Sequence, residues 1–308
     1  RSEDRQDRET QTGTLGQQFD QAADAYKALS EEQQRLCIQD WIGAPRLVRG
    51  VAGSGKTIVL ATNLARRYHR ESREQPDLFE PKRKPRILAV CFNRTLAPYI
   101  LKKIEIAYKQ RSGEALAPKS VHVFSFNRLM YYLGKRGLWA YQSFKDEDNP
   151  TRAAQYLDDL FKTKTSNPEL YESLAYDAIY VDEGQDFVEE EFRLLKELCR
   201  TPEGGEPNLY VFYDDAQNLY ARTRPNWQSL GINVRGGRSH IMTECFRNTR
   251  QIVEPAFNVL YGSYAITPGK VPTKEYSDIN TLEEKGLVKN RDGVWEVRFT
   301  KREGSKPR

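Results

Sequence analysis

The sequence predicts an α/β fold: a mostly parallel sheet with helices on both faces, built around a phosphate-binding loop. Gly50 to Thr57, read as Gly50-Val51-Ala52-Gly53-Ser54-Gly55-Lys56-Thr57, fits the pattern G-x-x-x-x-G-K-S/T. Short apolar runs at 47–48, 86–92, 121–124, 176–181 and 208–213 alternate with stretches of helical periodicity, the signature of strands and crossover helices. Most of these runs end in a polar cluster, and ligands of a parallel sheet gather beyond the carboxyl ends of its strands.

The 308 residues suffice for one large domain or two smaller ones. No run of some 18 apolar residues exists, so no membrane span is expected. No signal peptide is expected either, and a chain that opens on Arg1 reads as a piece of a longer polypeptide. Cys37, Cys91, Cys199 and Cys245 are far apart and form no C-x-x-C pair. That argues against a zinc or disulfide framework and suits a reducing cytosol. A net charge of +5 permits a nucleic-acid partner without demanding one.

In chain order, residues 1–16 are polar, charged and without periodicity, the pattern of a flexible leader. A helix is expected over Phe19–Leu29. Ser30-Glu31-Glu32-Gln33 then matches the capping box S-x-x-E/Q and opens the next helix, which ends near Gly43. Local pattern leaves two readings of Gln33 open, a cap or an amide held near a nucleotide base. A basic loop spans about 70–85, and a buried strand follows at 86–92. Asn93-Arg94-Thr95 leads into a helix with Leu96, Ile100 and Ile104. Val121–Phe124 reads as a strand ending in Ser125-Phe126-Asn127, and about 131–174 as a small helical insertion broken at Asn149-Pro150. Strand 176–181 runs into Asp182-Glu183-Gly184-Gln185-Asp186, and strand 208–213 into Asp214-Asp215-Ala216-Gln217. Beyond a loop to Gly237 come a strand at 240–242, a helix at 249–260, a strand at 294–299 and a polar tail from Lys301.

These clusters hold the parts of an ATPase. The glycines let backbone N–H groups curl toward phosphate oxygens, and the helix N-terminus adds positive potential. Lys56 faces the β- and γ-phosphates, and Thr57 with Asp182 can hold Mg²⁺. Glu183 is placed to act as general base, Gln217 to sense the γ-phosphate and Arg247 to supply charge to the transition state. Phe92 and Phe126, at strand ends, either stack on bases or close the core.

The chain at this point resembles superfamily 1 DNA/RNA helicases of the UvrD/Rep type, over residues Leu29 to about Leu260. Leu29 to Gln33 resembles that family's Q motif, which would put Gln33 on adenine. Gly50 to Thr57 resembles its Walker A sequence, so Gly50, Gly53, Ser54, Gly55, Lys56 and Thr57 would bind ATP. Leu88 to Ala97 is similar to motif Ia, with Phe92 in the base-stacking place and Asn93 beside it. Phe124 to Asn127 is similar to the T-F-H motif, Asn127 standing for the histidine. Asp182 to Asp186 has the D-E-x-Q-D form of motif II, Asp214 to Tyr220 that of motif III, and Cys245 to Thr249 resembles N-Y-R-S-T. The last would set Phe246 on the adenine face and Arg247 near the γ-phosphate.

The resemblance implies a RecA-like P-loop NTPase, with ATP and Mg²⁺ as cofactors and single-stranded DNA or RNA as partner. It implies a first lobe at 17–238, the start of a second at 239–308, and further domains of the same polypeptide. Arg222 stands where the aromatic after motif III is usual, with Trp227 further on, and motifs V and VI are missing. Two other functions stay open: an ATPase switch or defence module that never unwinds, and a binding piece without catalysis.

Overall fold

The computed structural model describes residues 29–50, 53–73, 83–139, 149–214, 225–242, 288–291 and 294–297. Six parallel strands form the central sheet: β1 (Arg46–Gly50), β2 (Ile87–Cys91), β3 (His122–Ser125), β4 (Ala178–Asp182), β5 (Leu209–Tyr213) and β6 (Ser239–Met242). Their order is β3-β2-β4-β5-β1-β6. A separate antiparallel pair joins β7 (Val288–Arg291) to β8 (Val294–Val297).

Side chains alternate across a strand, so a sheet buried on both faces needs runs apolar at every position. β2, β4 and β5 are buried at each of their residues. Leu88, Val90, Ile179, Val181, Leu209 and Val211 face one core. Ile87, Ala89, Ala178, Tyr180, Tyr210 and Phe212 face the other.

Three helices cover the second core: α1 (Glu31–Ile38), α2 (Lys56–Arg73) and α3 (Leu96–Ser112). Polar ties fix α2 on the sheet. Asn63 accepts from the Tyr180 hydroxyl at 2.8 Å and donates to the carbonyls of Leu36 and Gln39 at the end of α1. Arg67 donates to the Tyr210 hydroxyl, which in turn donates to the Trp41 carbonyl.

The first core is covered by α4 (Phe126–Gly134), α5 (Asn149–Ser166), α6 (Pro168–Leu174) and α7 (Glu189–Leu198). Within the helical stretch expected at about 131–174, Tyr156, Leu160, Tyr171 and Leu174 of α5 and α6 lie in this core. β6 lies past residue 238, where the first lobe is expected to end. Its residues pair with β1 from Leu47↔Ser239 to Gly50↔Met242, so the first sheet extends at least to Met242. The leader at 1–16, all but Leu29 of the helix expected at Phe19–Leu29, the helix at 249–260 and the tail from 301 lie outside the described residues.

Candidate active site

The P-loop joins β1 to α2. Two of its glycines are required by close approach. A Cβ on Gly50 would come within 2.6 Å of Ser54 Oγ and 3.0 Å of Met242 Cβ. Gly55 adopts a left-handed φ of +90°, and a Cβ there would meet Gln33 Nε2 at 2.3 Å. Val51 and Ala52 lie outside the described residues.

Gln33 does what the capping box asks and more. Its Oε1 accepts from Ser30 N at 3.1 Å, Ser30 Oγ accepts from Gln33 N, and Gln33 Nε2 donates to the Ser54 carbonyl at 2.9 Å. The amide thus ties α1 to the P-loop.

Lys56 Nζ donates to the Gly50 carbonyl at 2.7 Å and pairs with Asp214 Oδ2 at 3.2 Å. Thr57 Oγ1 donates to Asp182 Oδ2 at 2.9 Å. Asp182 Oδ1 is buried without a hydrogen-bond partner, as is Ser54 Oγ. A hydroxyl beside an unsatisfied carboxylate oxygen is the donor set Mg²⁺ takes when substrate phosphates complete its shell. Among the described residues no cluster of three His, Cys, Asp or Glu could hold a metal by itself.

Burial, and then the Glu183 carboxylate, push the Asp182 carboxyl up to about 7. An acid raised above its unfolded value of 3.8 contributes stability that is present below pH 4 and lost as pH rises to 7. Ionised, it costs on the order of 4 kcal/mol. Asp182→Asn should therefore melt higher than wild type above pH 7 without nucleotide, and about the same below pH 4. A melting difference that does not change over this range would refute the burial argument.

Glu183 sits in a left-handed conformation, φ +51°, unusual for a residue with a side chain. Gln185 Nε2 donates to its Oε2 at 2.8 Å, while Gln185 Oε1 accepts from Asp214 N at 3.0 Å. One amide thus links the ends of β4 and β5. The site therefore includes two residues to which the sequence analysis assigned no role, Gln185 and Asp214. Asp214 is 1% exposed, and the signal for it was a charged residue straight after a fully apolar strand. Gln217, Phe246 and Arg247, with Arg222, lie outside the described residues. Trp227 packs on Phe192 at 5.0 Å and on Tyr213 at 6.1 Å.

At the ends of β2 and β3 the expected contacts separate. Asn93 and Asn127 are exposed, and Asn93 Oδ1 accepts from Thr95 N and Oγ1 at the head of α3. Phe92 is half-buried, edge-on to Phe187. Phe126 corrects the stacking expectation. It is 3% exposed, lies edge-on to Phe187 and belongs to the core. The reason is that α4 begins at Phe126 itself, which turns the ring inward with Leu129, Met130 and Leu133. Phe126→Ala should cost about 3–5 kcal/mol of stability and leave single-strand affinity unchanged in the folded remainder. Weakened binding at an unchanged melting temperature would restore the stacking role.

A phosphate loop at the end of β1, with an acidic pair at the end of β4 two strands away, defines the class: a RecA-like P-loop NTPase fold. Residues 29–174 match the UvrD/REP helicase N-terminal domain, the family the motifs resemble. Among solved structures the chain is similar to the Pif1 helicase of Candida albicans, at 14% identity over 84% of this chain and 54% of that one, TM-score 0.46. It is also similar to a Pif1 helicase from Bacteroides in complex with ADP-AlF3 and ssDNA, at 17% identity over 84% and 57%, TM-score 0.31. A third likeness is to a structure of two coordinating Pif1 helicases unwinding forked dsDNA, at 16% identity over 84% and 58%, TM-score 0.32. The chain spans little more than half the length of these structures. No curated protein matches it.

Proposed function

We propose that this chain carries the ATP-hydrolysing part of a motor that moves on single-stranded nucleic acid, DNA first. The observation that carries the reading is the bonded Thr57–Asp182 pair with its unsatisfied Oδ1, set beside Glu183. Thr57 and Asp182 would hold Mg²⁺, which supplies charge neutralisation to the β- and γ-phosphates. Lys56 leaves the Gly50 carbonyl and Asp214 to meet the incoming phosphates. Glu183, steadied by Gln185, takes a proton from the attacking water, and the water oxygen joins the γ-phosphorus as the bond to ADP breaks. Gln217, Phe246 and Arg247 complete the site in this reading. Phe92, Asn93 and Asn127 offer the strand a contact at the same end of the sheet. Among the described residues no helix is long and apolar enough to cross a membrane, and a cytosolic setting belongs to this proposal.

ATP hydrolysis by the full-length protein, measured with and without single-stranded DNA and RNA, tests it. The motor reading expects stimulation by the strand. Hydrolysis indifferent to both nucleic acids would leave an ATPase switch instead.

A further inference from the structure

The end of the sheet opposite the P-loop carries a basic concavity. It holds about 210 Å³ at the N-terminal ends of β2 and β3, with Lys84, Arg86, Lys119 and His122 on its walls. Among the described residues that line it, none is acidic. The sequence has the same bias: from Ala115 to Lys145 there is no Asp or Glu, against five Lys and Arg.

The walls are built. Arg86 Nη2 donates to the Leu174 carbonyl, and its guanidinium lies 5.0 Å over the Tyr176 ring. Its Nε–H is buried with no acceptor. Lys119 is held at a φ of +62°, the kind of strain that clusters at ligand sites. Asp177, on the neighbouring chain segment, is neutralised by Arg83 and Arg200 and accepts from the Arg86 backbone.

From His122 the surface continues as an aromatic shelf. The His122 ring meets Phe124 at 5.4 Å and Tyr132 at 5.1 Å, and the Arg136 guanidinium lies 3.7 Å over Tyr132. Burial, then Arg86 and Arg136, hold the His122 imidazole down at about 4, so the ring is neutral at pH 7 in a positive field.

We propose that this concavity and the Arg136–Tyr132 shelf bind the sugar–phosphate backbone of single-stranded nucleic acid, at a second contact remote from the ATP end of the sheet. The inference rests on the motor reading above. The volume is below the roughly 300 Å³ at which pockets for drug-sized ligands begin, which suits a phosphate and its sugar. Cations without counter-charge suit phosphodiesters, and aromatic faces beside arginine suit sugar and base edges. An acidic peptide would use the cations and leave the aromatic shelf idle. β3 is four residues long, so roughly 13 Å separate this contact from Asn127 at the other end, and one extended strand can touch both.

The test is anisotropy of labelled oligothymidylate on the full chain, wild type against Lys119→Asn/Arg136→Ala, with Lys84→Ala as a second variant. All three side chains are exposed, and asparagine tolerates the left-handed backbone at 119. Melting temperature and nucleotide binding should stay at wild-type values. For the double variant, affinity should fall about tenfold, and the slope of log K against log salt should shrink by about 1.4, two phosphates at about 0.7 each. A wild type that binds, with an unchanged slope in both variants, overturns the concavity and leaves the motor reading standing. A wild type that binds no oligonucleotide overturns the motor reading and the concavity with it. Equal binding of poly-glutamate, lost equally in the variant, would assign the site to acidic peptides and overturn the nucleic-acid proposal.

Discussion

Glu183→Gln should slow ATP hydrolysis by about 100-fold or more while ATP stays bound, the scale on which a general base contributes. The substitution is nearly isosteric, and the new side chain keeps an oxygen to accept from Gln185 Nε2, which now donates to Glu183 Oε2 at 2.8 Å. The left-handed backbone at 183 is untouched. What disappears is the proton acceptor and one negative charge. That charge is the second cause, after burial, of the raised Asp182 carboxyl, so the variant should also hold Mg-ATP at least as tightly as wild type. Single-turnover hydrolysis and equilibrium ATP binding on the full-length protein separate the two effects. Hydrolysis at the normal rate would assign the base to another residue. Loss of binding and hydrolysis together would mean that Glu183 is part of the metal site.

How far the sequence reached follows from the kind of signal each feature left. The central strands were legible because a sheet covered on both faces needs every position apolar. Ile87 to Cys91 and Ala178 to Val181 are unbroken runs of that kind. The P-loop and the acidic pair were legible because their chemistry fixes spacing within a few residues. Phe126 was misplaced although its pattern was present. Phe126, Leu129, Met130 and Leu133 stand at i, i+3, i+4 and i+7, the inward stripe of a helix. The strand reading stopped at Asn127 and hid a helix that follows β3 with no loop between them. Gln33 was ambiguous for a better reason: one amide both caps α1 and holds Ser54. The roles of Asp214 and Gln185 were harder to read because each has a non-local partner: Lys56 for Asp214, and the Asp214 backbone for Gln185. Nothing near position 214 announces Lys56, which lies 158 residues earlier.

That non-local pair makes Lys56→Ala a larger perturbation than loss of a phosphate contact. Lys56 and Asp214 are 6% and 1% exposed, and removing one partner of a buried pair costs about 3–5 kcal/mol because the other charge is stranded. The single variant should therefore melt well below wild type. Lys56→Ala/Asp214→Asn should recover most of the loss, since the stranded carboxylate is then neutral. Neither protein should bind Mg-ATP tightly. Two charge-assisted bonds to phosphate at about 1.5–3 kcal/mol each place the affinity loss at about 100-fold or more. The double variant is the decisive one, because it presents a folded site without the cation. Wild-type ATP affinity in that protein would remove Lys56 from the phosphate site. An equal melting temperature for wild type and Lys56→Ala would show that the Asp214 pair contributes nothing to the fold.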